Sequence, residues 1–159
     1  MHFCRRRSHP SKLTRGGDLD DSNFYGVVRT SQAFASVIVQ NGGGAILNVL
    51  SDVTWYARQR NSVYATSKSA AWSYSNSLRS SLRDKDVQVL SLHIGFMDTD
   101  MVRGFDILKS DPRTVADATL DALENGDDEI AADEQARLAQ RGLSMEPAYY
   151  LDRPPLAYP

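Results

Sequence analysis

One cysteine, three histidines and no long hydrophobic run set the first limits on this 159-residue chain. Cys4 has no second cysteine to pair with, which excludes an internal disulfide and fits a reducing, cytoplasmic setting. No apolar stretch approaches the ~20 residues of a membrane span. His2 and His9 lie among basic residues at the start, and His93 has no companion at ligand spacing, so no metal site is readable. Asp98, Asp100 and Asp106 lack the Gly and bidentate Glu of a calcium loop and read as solvated loop charge. A formal net charge of −2 argues against a general nucleic-acid binder. Also missing is a Gly-rich turn between a strand and a helix, the arrangement whose backbone N–H groups receive a dinucleotide pyrophosphate. Gly42-Gly43-Gly44 comes in the reverse order, after a helical stretch and before a strand, and reads as a helix stop and turn.

Charge is unevenly spread. Arg5, Arg6, Arg7, Lys12 and Arg15 stand in residues 1–17 without an acid, and the remainder carries −7. Pro10, Gly16 and Gly17 interrupt any helix there, so 1–17 is expected to be a disordered basic tail, with targeting or anion binding as the alternatives. The sharp change at Asp18 is what a fused or misread start would produce. Residues 18–142 form one domain, and 143–159, rich in Pro and Tyr, form an extended arm packing on it.

Apolar residues at near-helical spacing (Phe24, Val27, Val28, Phe34, Val37, Ile38) predict a helix over 20–40. The run 45–51, apolar except for Asn48, predicts a strand buried on both faces. A polar loop, 52–60, leads to a helix over 61–83 whose Arg79 and Arg83 suit a C-terminus. Strand 87–92 and an irregular stretch to Ser110 follow. Asp111-Pro112 then opens a helix with an N-cap and a Pro at N1, ending at Asn125-Gly126. Residues 129–132 are a short strand, and Asp133 caps a last helix to about Gln140. This alternation predicts an α/β fold: a partial Rossmann-like three-layer arrangement of about three parallel strands with crossover helices.

Chemistry concentrates at Tyr64-Ala-Thr-Ser-Lys68, thirteen residues after Ser51. Tyr64 and Lys68 stand at i and i+4 on one helix face. An ammonium there is expected to lower the phenol pKa from about 10. A phenol tuned that way exchanges protons near neutral pH. Ser51, at the carboxyl end of a strand, is placed to hold a substrate oxygen against it. Taken singly, the pair also reads as a surface helical contact and Ser51 as a strand-end cap. Trp55 and Trp72 read as packing or pocket-lining residues.

With Ser51, Tyr64-x-x-x-Lys68, Asn23-Phe-Tyr-Gly26 on the preceding helix, and Gly95 followed four residues later by Thr99, the chain resembles the catalytic half of the short-chain dehydrogenase/reductase family across about residues 18–140. Ile94 stands where the family pattern has Pro. The family's N-terminal nucleotide-binding half has no counterpart, because only about twenty residues precede Asn23. The resemblance implies an NAD- or NADP-dependent oxidoreductase interconverting a small-molecule alcohol and a carbonyl by hydride transfer. It assigns Tyr64 as general acid/base, Ser51 as carbonyl-orienting, Lys68 as ribose-binding and Asn23 as support for the proton relay. Asn23 also reads as a helix-start residue bonding its own backbone. Gly95, Met97 and Thr99 would meet the nicotinamide end. The resemblance further implies a homo-oligomer through helices 20–40 and 61–83, with no nucleic-acid or membrane partner. The rival reading is a catalytically silent fragment that associates with itself or with a partner.

Overall fold

The computed structural model describes residues 20–57 and 61–152. The expected basic tail and the end of the arm lie outside them. Three strands, β1 (Gly44–Val49), β2 (Val87–His93) and β3 (Glu129–Ala131), form one parallel sheet in that order. Gly44 pairs with Val87 and Val49 with Leu92, while Ser91 to His93 pair with Glu129 to Ala131. The connections are helical: α1 (Gly26–Gln40), α2 (Ser62–Leu82), α3 (Pro112–Glu124), α4 (Glu134–Gly142) and a short α5 (Tyr149–Asp152). The expected α/β three-layer arrangement is what forms. The arm is not extended throughout, since α5 lies within it and contacts α4.

Alternation along β2 builds the layers. Val87 and Val89 point to one face, where they meet Leu78 and Leu82 of α2 and Ile38 and Val39 of α1. Leu92 serves the other face with Ile94, Ile130 and Val115 of α3. Val89 and Leu90 are fully buried, each worth about 1.5–3 kcal/mol of apolar burial. A third cluster joins Val53, Trp55 and Tyr56 to Ala65 of α2 and Ala139 of α4, and it underlies the site.

The capping signals act as expected. The Asp111 carboxylate accepts from the Arg113 N–H, and that of Asp133 from the Ala136 N–H. The triple glycine is a helix stop: Gly43 N–H returns to the Ile38 carbonyl, and φ at Gly43 is +107°. A Cβ on Gly43 would stand 2.5 Å from the Asp86 carbonyl oxygen.

Three expectations are corrected. β1 ends at Val49, so Ser51 lies beyond the strand, and β1 is not buried on both faces: Leu47 and Val49 are exposed and only Asn48 is buried. Its Asn48 amide donates to Ser75 Oγ of α2 at 2.8 Å, which accounts for a polar residue in an apolar run. Helix α1 is preceded by a π-helical turn, Asp21–Tyr25, rather than starting regularly at residue 20. Arg79 does stand in the last turn of α2, as expected. It reaches across to the carbonyls of Val89 (2.9 Å) and Asp128 (2.7 Å), tying α2 to β2 and to the turn before β3.

Candidate active site

The carboxyl ends of β1 and β2 continue into two adjacent loops, where an open parallel sheet seats its ligands. Asp52 N–H donates to the Ile94 carbonyl at 3.1 Å, so Ser51 and Gly95 are held side by side. Ser51 caps a short 3₁₀ turn, Asp52–Thr54. Its Oγ accepts from the Val53 N–H and its own N–H donates to Thr54 Oγ1, both at 3.4 Å. Ser69 Oγ, from α2, donates to the Thr54 carbonyl at 2.6 Å and fixes this turn against the helix carrying Tyr64.

Ser51, Tyr64, Lys68, Gly95, Met97 and Thr99 line one cavity of about 650 Å³, floored by apolar groups such as Leu50, Val53 and Ile94. Asn23 is not among its lining residues; it sits half-buried in the π-helical turn, which packs on α2. Six of the sequence-predicted residues therefore share one cavity, and Asn23 lies outside its lining.

Lys68 Nζ donates to the Val49 carbonyl at 2.9 Å and lies 5.8 Å from the centre of the Tyr64 ring. Burial lowers the Lys68 ammonium from its ordinary value. Burial pushes the Tyr64 phenol up; a hydrogen bond with Ser51 pulls it back, and the Asp52 charge pushes it further up. The expectation that Lys68 depresses the phenol does not hold in this geometry: the net direction is upward and Lys68 is not among its causes.

Several neighbours escaped the sequence reading. Asp52 is 3% exposed, and its carboxylate accepts from Ser51 Oγ at 2.9 Å, from Tyr56 Oη at 2.5 Å and from Gln135 Nε2 of α4. Asp133, besides capping α4, accepts from the Gly95 N–H at 3.0 Å and from Ser110 Oγ at 3.3 Å. Ser110 N–H donates to the Phe96 carbonyl and Asp98 N–H to the Ser110 carbonyl, at 2.8 and 2.9 Å. This pairing pins both ends of the loop between them and leaves the Met97 amide turned away from it. Behind Ser51, the fully buried His93 stacks on Trp55 with ring centroids 3.9 Å apart. Its Nδ1 is 3.2 Å from the Ser51 carbonyl and its Nε2 is 3.4 Å from Glu129 Oε1. Burial pushes the Glu129 carboxyl up, but the neighbouring His93 ring, the hydrogen bond from Trp72 and the Arg79 charge outweigh it and hold it below the usual range. Trp55 and Trp72 meet edge to face and pack rather than line the cavity. Among the described residues, no group of three or more His, Cys, Asp or Glu side chains is placed to hold a metal ion, and no helix is long and apolar enough to cross a membrane.

Parallel strands, crossover helices and a Ser/Tyr/Lys group beyond the carboxyl ends of the sheet define a Rossmann-like α/β domain. Residues 17–107, more than half of the chain, match the family model of the short chain dehydrogenases, and the chain belongs to that family. It is 40% identical over 79 residues to an NADPH-dependent 1-acyldihydroxyacetone phosphate reductase of Schizosaccharomyces pombe, covering 50% of this chain and 26% of that protein. It is 30% identical over 106 residues to an uncharacterized oxidoreductase of Staphylococcus epidermidis, covering 65% of this chain and 46% of that one. The crystal structure of a short chain dehydrogenase from Burkholderia cenocepacia in complex with NADP superposes with a TM-score of 0.78 at 32% identity, covering 83% of this chain and 55% of that one. The chain thus spans between about a quarter and just over half the length of these relatives.

Proposed function

We propose that this domain works in NADP(H)-dependent interconversion of an alcohol and a carbonyl, with Tyr64 exchanging the proton. The observation that carries the reading is the convergence of Ser51, Tyr64 and Lys68 with the Gly95–Thr99 loop on one cavity. The choice of NADP(H) over NAD(H) rests on the Burkholderia protein's bound NADP and the fission-yeast reductase's use of NADPH.

The residues present fit the nicotinamide–ribose end of such a cofactor. Lys68 Nζ donates to the Val49 carbonyl and has further protons for ribose hydroxyls. The Met97 amide, left out of the loop pairing, would meet the carboxamide, with Gly95 and Thr99 flanking it. The cofactor, when bound, supplies or accepts the hydride. Tyr64 gives its proton to the carbonyl oxygen as the alcohol forms, and takes it back in the reverse direction. Burial raises the phenol from its ordinary value, and the protonated phenol is the form that donates to a carbonyl. The largely apolar floor suits an uncharged substrate body.

A second reading has its own support. Phe34 of α1 and Leu47 and Val49 of β1 are exposed and line one open cleft, and among the described residues no strand pairs with the outer edge of β1. Such a surface favours a silent chain that associates with itself or with a partner. Titrating the 159-residue chain with NADPH and NADH, following nicotinamide fluorescence, separates the two. Saturable binding lost on Lys68→Ala supports the oxidoreductase. No binding by a folded chain that sediments as an oligomer supports the second reading and overturns the first.

A further inference from the structure

Two large apolar side chains border the cavity while standing in water. Met101 and Phe105 are 89% and 59% exposed, yet both line the cavity that holds Ser51, Tyr64 and Lys68. Local structure sets them there. Met101 belongs to the 3₁₀ turn Asp100–Val102, whose Val102 is buried and anchors it. Phe105 N–H donates to the Val102 carbonyl at 3.2 Å, and the chain bends between them at Gly104, where φ is +89°. Glycine adopts that φ without steric cost. Leu108, on the same loop, is 93% exposed but does not line the cavity. It is the built-in contrast: equally wet, on the same loop, and outside the site.

Chemistry divides the lining. Ser51 and α2 supply hydroxyl and ammonium groups, whereas Met101, Val102 and Phe105 supply hydrocarbon and a thioether. Methionine adapts to irregular apolar shapes, and covering such side chains with a ligand is favourable in proportion to the area taken from water. Charge then selects among apolar ligands. Among the described residues, two acids, Asp52 and Asp100, line the cavity against one cation, Lys68. The Lys68 ammonium is bonded to the Val49 carbonyl at 2.9 Å. Cations on the loop after β2 are already paired, Arg103 with Asp100 and Lys109 with Asp98 at 3.6 Å. A phosphate or carboxylate entering here would meet two acids and compete for one engaged ammonium, an uncompensated charge in a partly dry site. An uncharged ligand meets no such penalty.

We propose that the substrate is a neutral lipophilic ketone or secondary alcohol, with its oxygen at Ser51 and Tyr64 and its apolar body laid against Met101 and Phe105, the two residues that select it. The inference rests on the reading of this cavity as the carbonyl site and adds the class of molecule it takes. Its test does not require turnover.

The experiment is saturation-transfer NMR on the full chain, with and without NADPH, titrating two probes. One is methyl octyl ketone; the other is the methyl ketone of equal chain length that ends in a carboxylate. The neutral ketone is expected to bind about tenfold more tightly than the keto acid. Phe105→Ser and Met101→Ser, at exposed positions whose change leaves the core intact, should each weaken the neutral ketone about fivefold. Leu108→Ser should leave it unchanged, which separates the site from general stickiness of the loop. Asp100→Asn removes an acid from the lining and releases Arg103 beside it, so it should improve binding of the keto acid and not of the ketone. Absent ketone binding, equal affinity for the two probes, or a Phe105→Ser chain that binds like Leu108→Ser overturns the proposal. Failure of the oxidoreductase reading shows itself differently, as absent NADPH binding while the ketone still binds with this selectivity.

Discussion

Gly95 leaves little room for a side chain, and Gly95→Ala tests whether Asp133 organises the loop that faces the cavity. A Cβ built there stands 2.8 Å from Asp133 Oδ2 and 3.0 Å from the Gln135 amide. The Gln135 end can swing aside, but Asp133 cannot: it caps α4 through Ala136 and holds Gly95 N–H and Ser110 Oγ at the same time. Overpacking of this kind costs about 1–3 kcal/mol, and weakening a hydrogen bond to a charged acceptor adds about 1 kcal/mol or more. We therefore expect a loss of about 3 kcal/mol. Urea unfolding followed by the fluorescence of Trp55 and Trp72 reads it, as a midpoint lower by about 1.5 M for a slope near 2 kcal/mol per M. The partner variant is Asp133→Ser, which keeps an N-cap oxygen but removes the carboxylate that the new methyl meets. In that background Gly95→Ala should cost less than about 1 kcal/mol, because residues in contact are not additive. If alanine costs the same in both backgrounds, the clash is not with Asp133 and the account of the loop is wrong.

Two further perturbations probe the groups behind the site. The Glu129 carboxyl is held below its ordinary value of 4.5, so its contribution to stability is fully present above that pH and is lost as pH falls through the lower folded value. Glu129→Gln should cost about 1–2 kcal/mol at neutral pH and flatten the acid limb of a stability-versus-pH curve; a limb identical to the parent's would refute the pairing with His93 and Trp72. Ser75→Ala removes the acceptor of the buried Asn48 amide and should cost about 1–3 kcal/mol in urea unfolding. Adding Asn48→Val should recover much of it, and a further loss would show that the pair is not the reason Asn48 is tolerated.

The elements were legible because each announces itself locally. Asp111-Pro112 and Asp133 mark helix starts through oxygens that cap the next few N–H groups, and both do so. Gly43 ends α1 because only a residue without Cβ tolerates its positive φ beside the Asp86 carbonyl. What failed depends on distant partners. An apolar run at 45–50 shows that both faces of a strand resist water, but not what covers them, so β1 was expected to be buried where Leu47 and Val49 are exposed. The π-helical turn at Asp21–Tyr25 shifts one hydrogen-bond register without a change in residue pattern. Arg79 stands in the last turn as its position suggests, but its bonds to carbonyls on β2 and before β3 have no local signal.

The candidate site divides the same way. Ser51, Tyr64 and Lys68 could be found because a strand end and an i, i+4 helical pair keep fixed spacing in sequence. Asp52 could not, because its neighbours Ser51 and Thr54 make the segment look like an ordinary capped turn, and a capped turn is indeed what forms. The fact that changes its meaning is Gln135, which no local pattern connects to it. Gly95 and Asp133 are linked across thirty-eight residues in the same manner. Spacing thus reveals the Ser51, Tyr64 and Lys68 group, while part of what holds the loops beside it comes from α4 and its cap. A chain that kept the pair and lost Gln135 or Asp133 would keep the signature and lose the hydrogen bonds that hold Asp52 and Gly95 in place.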